Sequence, residues 1–199
     1  MYKIMVNPGH GGNDPGACGN GLREADVVLK IGRRVADYLR NVGYDVLLSQ
    51  IDGLERICDA CNNWHADLFV SIHCNAANGN AQGTETYHFY GSSAGRKLAT
   101  AIHHQIVKSL PLVNRGVKQA GFLVLAGTDC PAALVETAFI DNPADARLLV
   151  EREDDFARAI ARGITDYFAD QLPAPDVVDK PTQDAPRDGG IGSHIVWRD

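Results

Sequence analysis

The chain lacks any long hydrophobic run: no apolar stretch approaches the roughly 20 residues that a helix needs to cross a bilayer. It also lacks an excess of positive charge, since 19 Lys and Arg residues stand against 25 Asp and Glu residues, for a formal net charge of −6. A nucleic-acid-binding protein usually shows a concentrated basic surface. These absences argue against membrane insertion and against nucleic acid as a partner.

The N-terminus lacks the features of a secretory signal, which are a basic start, an apolar core and a small-residue cleavage site. Strand-like residues begin at Tyr2 instead. We therefore expect a chain that is made in the cytoplasm, or one from which a leader has been removed.

A disulfide framework is missing as well. The five cysteines are an odd number, which suits free thiols in a reducing compartment. Cys58 and Cys61 form a Cys-x-x-Cys pair in a predicted helix, but a zinc ribbon would need a second pair at matching spacing. We interpret this pair as ordinary half-buried thiols.

What is present is an alternation of short apolar segments with amphipathic stretches. It predicts an α/β fold, a mostly parallel twisted central sheet with helices on both faces, in a single domain of residues 1–170. Residues 171–199 are rich in Pro, Asp and Gly without an amphipathic period, and are predicted to be a tail or linker remnant. The predicted strands are residues 2–6, 44–48, 68–72, 84–90, 122–125 and 132–135, and the predicted helices begin near residues 26, 54, 92, 142 and 154.

Four polar residues stand where predicted strands end or just before the first helix. His10, His73 and Glu136 each follow a strand, and Glu24 lies in the loop before the helix. In a parallel sheet the carboxyl ends of the strands gather at one edge, where ligands bind. Two histidines and a carboxylate suit Zn²⁺ at an open catalytic site, and a second carboxylate beside it suits a general base. The pattern therefore indicates hydrolase chemistry.

The glycine-rich loop NPGHGGNDPGA, which carries His10, could instead suggest a phosphate cradle. It lacks the Gly-Lys-Ser/Thr of a P-loop, and it breaks the Gly-x-Gly-x-x-Gly pattern of a dinucleotide loop. Glycines on both sides of a histidine allow the backbone to turn sharply and leave room for a bulky substrate.

Each candidate residue also has a structural alternative. Glu24 could be a carboxylate that favours a helix start, Glu136 could cap a helix or pair with an arginine, and Glu85 could face either side of its strand. Ligands so far apart in sequence form no compact motif, so spacing alone leaves the zinc site open. Five histidines without matching partners are interpreted as structural: His65, His88, His103, His104 and His194.

At these residues the chain resembles the zinc-dependent N-acetylmuramoyl-L-alanine amidases of the Amidase_3 type, which occur in bacterial cell-wall remodelling and in phage endolysins. The resemblance runs from about residue 4 to residue 168. It rests on separate blocks in the expected order, NPGHGGNDPGACGNGLREADVVL, ADLFVSIHCNA, GTETYHFY, NRGVK and PAALVETAFIDNPADARLL.

The resemblance implies one Zn²⁺ per chain, with His10, Glu24 and His73 as its ligands and Glu136 as the catalytic glutamate. The implied reaction is hydrolysis of the amide between N-acetylmuramic acid and the L-alanine of the stem peptide. The implied partner is peptidoglycan. Apart from the resemblance, we expect a monomer, and the missing export signal leads us to expect action on the cell wall after release from the cytoplasm. Weaker candidates for substrate contact, for which a structural turn and a solvated basic loop are equal alternatives, are Asn75, Arg115 and Lys118.

Some details depart from the family's usual pattern. Asn7 replaces a common aspartate, which predicts a change in the polar support behind His10. Cys74, Cys130 and Ala126 stand where other residues are more usual, and we expect them to tune substrate fit. The chain between His73 and Glu136 is filled by the predicted strands and helix, so we expect no built-in helical plug. The alternatives to a zinc amidase are a catalytically silent wall-binding module and a zinc peptidase acting on another stem-peptide bond.

Overall fold

The computed structural model describes residues 1–170, and the predicted tail, residues 171–199, lies outside the described residues. Six helices and eight strands follow one another along these residues. The strands are β1 (Lys3–Pro8), β2 (Cys18–Gly19), β3 (Leu22–Arg23), β4 (Asp45–Leu48), β5 (Leu68–Asn75), β6 (Thr84–His88), β7 (Asn114–Gln119) and β8 (Ala132–Phe139). The helices are α1 (Glu24–Asn41), α2 (Leu54–Asn63), α3 (Ser93–Ser109), α4 (Leu123–Ala126), α5 (Pro143–Glu151) and α6 (Glu153–Ala169).

Six of the strands form one sheet in the order β4-β1-β5-β8-β6-β7. The first four are parallel to one another, β6 pairs antiparallel with β8, and β7 runs parallel to β6. β2 and β3 form a small separate hairpin. The prediction of an α/β fold with a mostly parallel sheet is confirmed.

Alternation along the strands sends side chains to two different cores, because successive residues of a strand point to opposite faces. Ile4 and Val6 of β1 belong to the larger cluster, together with residues of α1, α3 and α6. Met5 of β1 and Phe69 of β5 belong to the smaller cluster, with residues of α2 and α4. Helices therefore cover both faces, as predicted. Within residues 1–170, no helix is both long and apolar enough to cross a membrane.

Local signals explain where several helices begin and end. The Ser92 hydroxyl caps α3 by accepting the Gly95 N–H, and the Asn142 side chain caps α5 by accepting two backbone N–H groups. Pro143 occupies the first turn of α5, where its missing N–H costs nothing. After α1, Gly43 adopts a φ of 95°, a conformation that favours glycine and that turns the chain toward β4.

Two predicted elements are wrong. Residues 122–125 form no strand but lead into the single turn α4, which is closed by hydrogen bonds from Leu125 and Ala126 N–H to Phe122 O. A short apolar run does not distinguish a strand from a buried helical turn. The segment around Arg115 and Lys118, predicted as a loop, is the edge strand β7. Because its side chains are largely exposed, β7 lacks the alternation of apolar and polar residues that is typical of a half-buried strand.

We predict that Gly163→Ala destabilises the fold by about 1–3 kcal/mol through overpacking. A Cβ at this position of α6 would lie 2.4 Å from Ile102 Cα and 2.7 Å from Ile102 N in α3. Urea unfolding followed by circular dichroism measures the change. Arg162→Ala, at an exposed position of the same helix, is the control and should stay within about 0.5 kcal/mol. An unchanged unfolding midpoint for Gly163→Ala would show that the two helices move apart freely.

Candidate metal centre and active site

The candidate site lies on the sheet face covered by α2 and α4, near the carboxyl ends of the parallel strands. The same alternation that places Phe69 in the smaller core places Ser71 and His73 on that face of β5. On β8, Glu136 follows Leu134 on the same face. Glu136 is also the register partner of His73 on the neighbouring strand. Strand pairing therefore brings together two residues that are far apart in sequence.

The glycines around His10 allow close approach rather than phosphate binding. A Cβ on Gly9 would lie 2.2 Å from Cε1 of His73. A Cβ on Gly16 would lie 2.6 Å from Cδ2 of His10 and 2.7 Å from Oε2 of Glu24, and its φ of 65° independently favours glycine. Any larger residue at either position would enter the space where the histidines and the carboxylate meet.

His10, Glu24 and His73 converge on one point. Nε2 of His10 lies 3.0 Å from Oε2 of Glu24, and Nδ1 of His73 lies 3.0 Å from Oε1 of the same carboxylate. The three candidate ligand atoms all lie within 4.8 Å of one another. The elements differ slightly from those predicted, since Glu24 is the first residue of α1 and His73 lies inside β5 rather than after it.

The other side of the His10 ring contacts a carboxylate. Nδ1 lies 2.7 Å from Oδ2 of Asp14, whose second oxygen accepts the Gly16 N–H. Hydrogen bonding to Glu24 raises the pKa of His10 to about 9 against the opposing effect of burial, and Asp14 adds to the rise. Asp14 thereby orients the ring so that Nε2 faces Glu24, as carboxylates commonly do behind metal-binding histidines.

A hydroxyl and an amide support His73. Ser71 Oγ donates to Asn7 Oδ1, whose own amide group donates to Ser49 O, and His73 Nε2 lies 3.1 Å from Ser71 Oγ. His73 thus contacts Ser71 through Nε2 and Glu24 through Nδ1, so both ring nitrogens have polar partners that fix the orientation of the ring. The expectation that Asn7 affects His10 is therefore wrong: through Ser71 it supports His73.

The Glu24 carboxylate is almost completely buried, with 3% of the residue exposed. Burial by itself raises its pKa, but hydrogen bonds with His10 and His73 outweigh this effect and the net result is a lowered pKa. The backbone N–H groups of Ala17 and Cys74 also donate to it, each at 2.9 Å. This carboxylate is therefore held ionised and in a fixed orientation.

The donor set fits a divalent metal ion. Nε2 of His10 and Nδ1 of His73 each lie 3.0 Å from one oxygen of the Glu24 carboxylate, so two nitrogen donors surround a buried anionic group. Two imidazole nitrogens and one carboxylate oxygen are a common ligand set for Zn²⁺ with a further position open. Within residues 1–170, no other group of this kind is found, so the remaining described histidines join no comparable cluster. His194 lies outside the described residues.

Glu136 differs from Glu24 in its environment. Its Oε2 atom is buried and accepts no hydrogen bond from the described residues. Burial raises its pKa to about 7; the charge of His73 opposes this rise, and the nearby charges of Glu24 and Glu85 add to it. A carboxylate with such a pKa can both accept and return a proton near neutral pH.

An open cleft of about 480 Å³ borders these residues. His10, His73 and Glu136 line its polar end. Leu54 of α2, Phe122 and Leu123 also line the cleft, where they form an apolar wall, and all three side chains are exposed. Cys74, expected to tune substrate fit, does not line the cleft, because it lies in the larger core on the other face of the sheet.

The structure also shows a functional candidate that the sequence left undecided. Glu85 on β6 lies opposite Glu136 in the antiparallel register and is 3% exposed. Burial alone raises its pKa, but hydrogen bonds from Lys118, Arg115 and Tyr87 outweigh this and lower the pKa to about 2. Its Oε1 accepts from Asn75 and Tyr87, both at 2.8 Å, and its Oε2 accepts from Arg115 at 2.8 Å and from Lys118.

Glu85 thus unites the three residues predicted to contact substrate, Asn75, Arg115 and Lys118. The sequence signal that could have found it is the Thr-Glu-Thr-Tyr alternation of β6, which places Glu85 and Tyr87 on one face. Which face is decided only by pairing with β8. Asn75, Arg115 and Lys118 therefore form one cluster beside Glu136, and each of them donates a hydrogen bond to the Glu85 carboxylate.

Comparison with known proteins agrees with this geometry. The Amidase_3 family model, described as N-acetylmuramoyl-L-alanine amidase, matches residues 4–166. An uncharacterised protein of Bacillus subtilis (strain 168), YqiI, is 40% identical over 174 residues, which cover 83% of this chain and 84% of that protein. The sporulation-specific N-acetylmuramoyl-L-alanine amidase of the same strain is 38% identical over 169 residues, 82% of this chain and 65% of its own length.

A phage protein and a solved structure are also similar. The endolysin of Bacillus phage SPP1 is 37% identical over 204 residues, covering 92% of this chain and 73% of the endolysin. The crystal structure of an N-acetylmuramoyl-L-alanine amidase from Clostridium difficile 630 superposes with a TM-score of 0.82 at 30% identity, covering 86% of this chain and 98% of that one. The chain therefore belongs to the Amidase_3 family of N-acetylmuramoyl-L-alanine amidases.

Proposed function

We propose that this chain is a zinc-dependent peptidoglycan hydrolase that cleaves the amide between the lactyl group of N-acetylmuramic acid and the L-alanine of the stem peptide. His10, Glu24 and His73 would hold one Zn²⁺, and Glu136 would be the general base and acid. The observation that carries the proposal is the buried Oε2 atom of Glu136, which has no hydrogen-bond partner among the described residues, beside a His-Glu-His donor set. Membership of the amidase family supports the choice of bond.

The metal and Glu136 have separate roles in this proposal. A Zn²⁺ ion held by His10, Glu24 and His73 would supply Lewis acidity toward a water molecule and the scissile carbonyl. Glu136 takes the proton from the attacking water and later returns it to the leaving amine of L-alanine. Its pKa of about 7 suits both transfers, because the ideal catalytic group titrates near the working pH. The apolar wall limits water on one side of the cleft.

Glu85 would keep two cations away from the base. Arg115 and Lys118 both bind its carboxylate rather than that of Glu136, so the base remains free of an ion pair. Arg115 uses only Nε for this contact, which leaves its terminal N–H groups available for a carboxylate of the stem peptide. We include Asn75 and Lys118 as further contacts in this substrate-binding cluster.

Two alternatives are distinguishable by experiment. A catalytically silent wall-binding module would have no need for an ionised ligand set next to an unpartnered acid. A zinc peptidase would use the same metal site on another stem-peptide bond. The monomeric state, the synthesis in the cytoplasm and the action on the wall after release stay predictions.

We expect purified peptidoglycan treated with the protein to release stem peptides with free N-terminal L-alanine. A zinc chelator should abolish release and added zinc should restore it. Glu136→Gln should lower kcat by at least about 100-fold, because the proton acceptor is lost, while zinc content and wall binding remain. Mass spectrometry of labelled N-termini provides the measurement.

The matched control is Glu55→Gln, an exposed glutamate on α2, which should keep full activity. Binding to peptidoglycan without release of peptides would contradict the enzyme proposal and favour a catalytically silent module that binds the cell wall. Release of peptides with a different N-terminal residue would contradict the amide bond proposed but not the metal site.

Zinc affinity should depend on pH in a defined direction. In the metal-free protein the pKa of His10 is raised to about 9, so below that pH zinc must displace a proton from His10. Affinity should therefore rise by about tenfold per pH unit from about pH 7 and level off near pH 9. Calorimetric titration in buffers of different ionisation enthalpy measures the affinity and the protons released.

Asp14→Asn is the matched variant for this experiment. Asp14 raises the pKa of His10, so its loss should move the levelling-off point to lower pH. An affinity that does not change over this range would show that His10 carries no displaceable proton.

Glu85→Gln should lower kcat by about tenfold or more and move the acid limb of the kcat profile to lower pH. The variant frees Arg115 and Lys118 to pair with Glu136, and a nearby cation lowers a carboxyl pKa and weakens the base. The pH profile of stem-peptide release measures both effects, with Glu55→Gln as control. A fall in kcat with an unshifted acid limb would mean that Glu85 has only a structural role.

A further inference from the structure

Two thiols lie close together at the smaller core, on α2 and on the chain just before β8. Sγ of Cys61 and Sγ of Cys130 are 3.8 Å apart, although 69 positions separate them in sequence. Cys61 lies on α2 with no exposed surface, and Cys130 lies just before β8 and is partly exposed. All five cysteines of the chain are within the described residues, and each is a free thiol.

This sulfur pair belongs to a row of contacts between α2 and the segment that carries the wall, residues 122–130. Cys58 Sγ donates to Leu123 O at 3.7 Å, next to the cleft. One turn farther along α2, Asn62 donates to Gly127 O at 2.9 Å and accepts the Asp129 N–H at 3.0 Å. Cys61 and Cys130 lie at the same end of the row as the two Asn62 contacts.

The two thiols differ in reactivity. The contact with Cys130 and burial both raise the pKa of the Cys61 thiol, whereas the contact with Cys61 lowers the pKa of Cys130. The thiolate is the reactive form of cysteine, so the partly exposed Cys130 is the better nucleophile. Cys61 is shielded from external reagents but lies within reach of Cys130.

We propose that Cys61 and Cys130 form a redox-modification site that a low-molecular-weight disulfide converts into an intramolecular disulfide. The Cys130 thiolate attacks one sulfur of the oxidant, and a thiolate leaves. The Cys61 thiolate then attacks the Cys130 sulfur of this mixed disulfide and displaces the second thiolate. Two cysteine thiols are oxidised to one disulfide, one oxidant disulfide is reduced to two thiols, and the protons lost by the two cysteines end on those two product thiols.

The new disulfide would link α2 covalently to residues 122–130, the segment that carries the apolar wall of the cleft. The sulfur atoms must approach from 3.8 Å to about 2 Å. Residues 127–131 lie in the connection between α4 and β8, where the backbone can adjust more easily than inside the sheet. Closing so long a loop restricts the unfolded chain, so the oxidised protein should be more stable than the reduced one.

The test oxidises the full chain with oxidised glutathione and measures intact mass, peptide maps and thermal unfolding. We expect a mass loss of two hydrogen atoms, a cross-linked peptide joining Cys61 to Cys130, and a rise in Tm of at least about 5 °C that a reducing agent reverses. These measurements do not use wall-hydrolysing activity, so their outcome is independent of the proposed function.

Variants distinguish this pair from the neighbouring thiol. Cys130→Ser, at a partly exposed position, should abolish both the mass loss and the rise in Tm, and Cys61→Ala should leave a stable glutathione adduct on Cys130. Cys58→Ser is the matched control and should behave like the unsubstituted chain. A disulfide between Cys58 and Cys61, an adduct on Cys130 that never resolves in the unsubstituted chain, or an unchanged Tm after cross-linking would each overturn the proposal.

Discussion

The arrangement of the candidate site depends on the hydrogen bonds of one buried group, the Glu24 carboxylate. It joins the loop after β1, the first turn of α1 and the strand β5, because it reaches His10 and His73 and accepts backbone N–H groups from Ala17 and Cys74. A buried carboxylate is costly unless its hydrogen bonds are satisfied. Here they are satisfied by groups that also bring the candidate metal-ligand atoms together, so the packing that buries Glu24 also organises the candidate site. Gly16 must remain small for the same reason.

Two glutamates on neighbouring strands show how surroundings rather than residue type decide a role. Glu85 and Glu136 are register partners, yet the pKa of one is lowered to about 2 and that of the other is raised to about 7. The difference arises because Arg115 and Lys118 both bind Glu85. Oε2 of Glu136 remains buried without a hydrogen-bond partner among the described residues, a state that suits the proposed proton carrier. By contacting a different carboxylate, the two cations leave the proposed base without an ion pair.

Much of the fold followed from sequence pattern because its buried strands and amphipathic helices have distinct periods. Residues 68–72 and the helix after Glu24 are examples, and the helix caps at Ser92 and Asn142 carry local signals. Prediction failed where local signals are weak. The apolar run that contains α4 is compatible with either a strand or a helical turn. The edge strand β7 is largely exposed and shows no alternation of apolar and polar residues.

By itself, the sequence determined the α/β class and, through the resemblance, the candidate residues His10, Glu24, His73 and Glu136, because each lies at a strand end or helix start that local pattern reveals. Only the tertiary structure decided how they are supported. Asn7 acts on His73 rather than His10, and Glu85 gathers Arg115 and Lys118, because these contacts cross between strands distant in sequence. Strand register and burial control such contacts, and neither is encoded in any short segment of the chain.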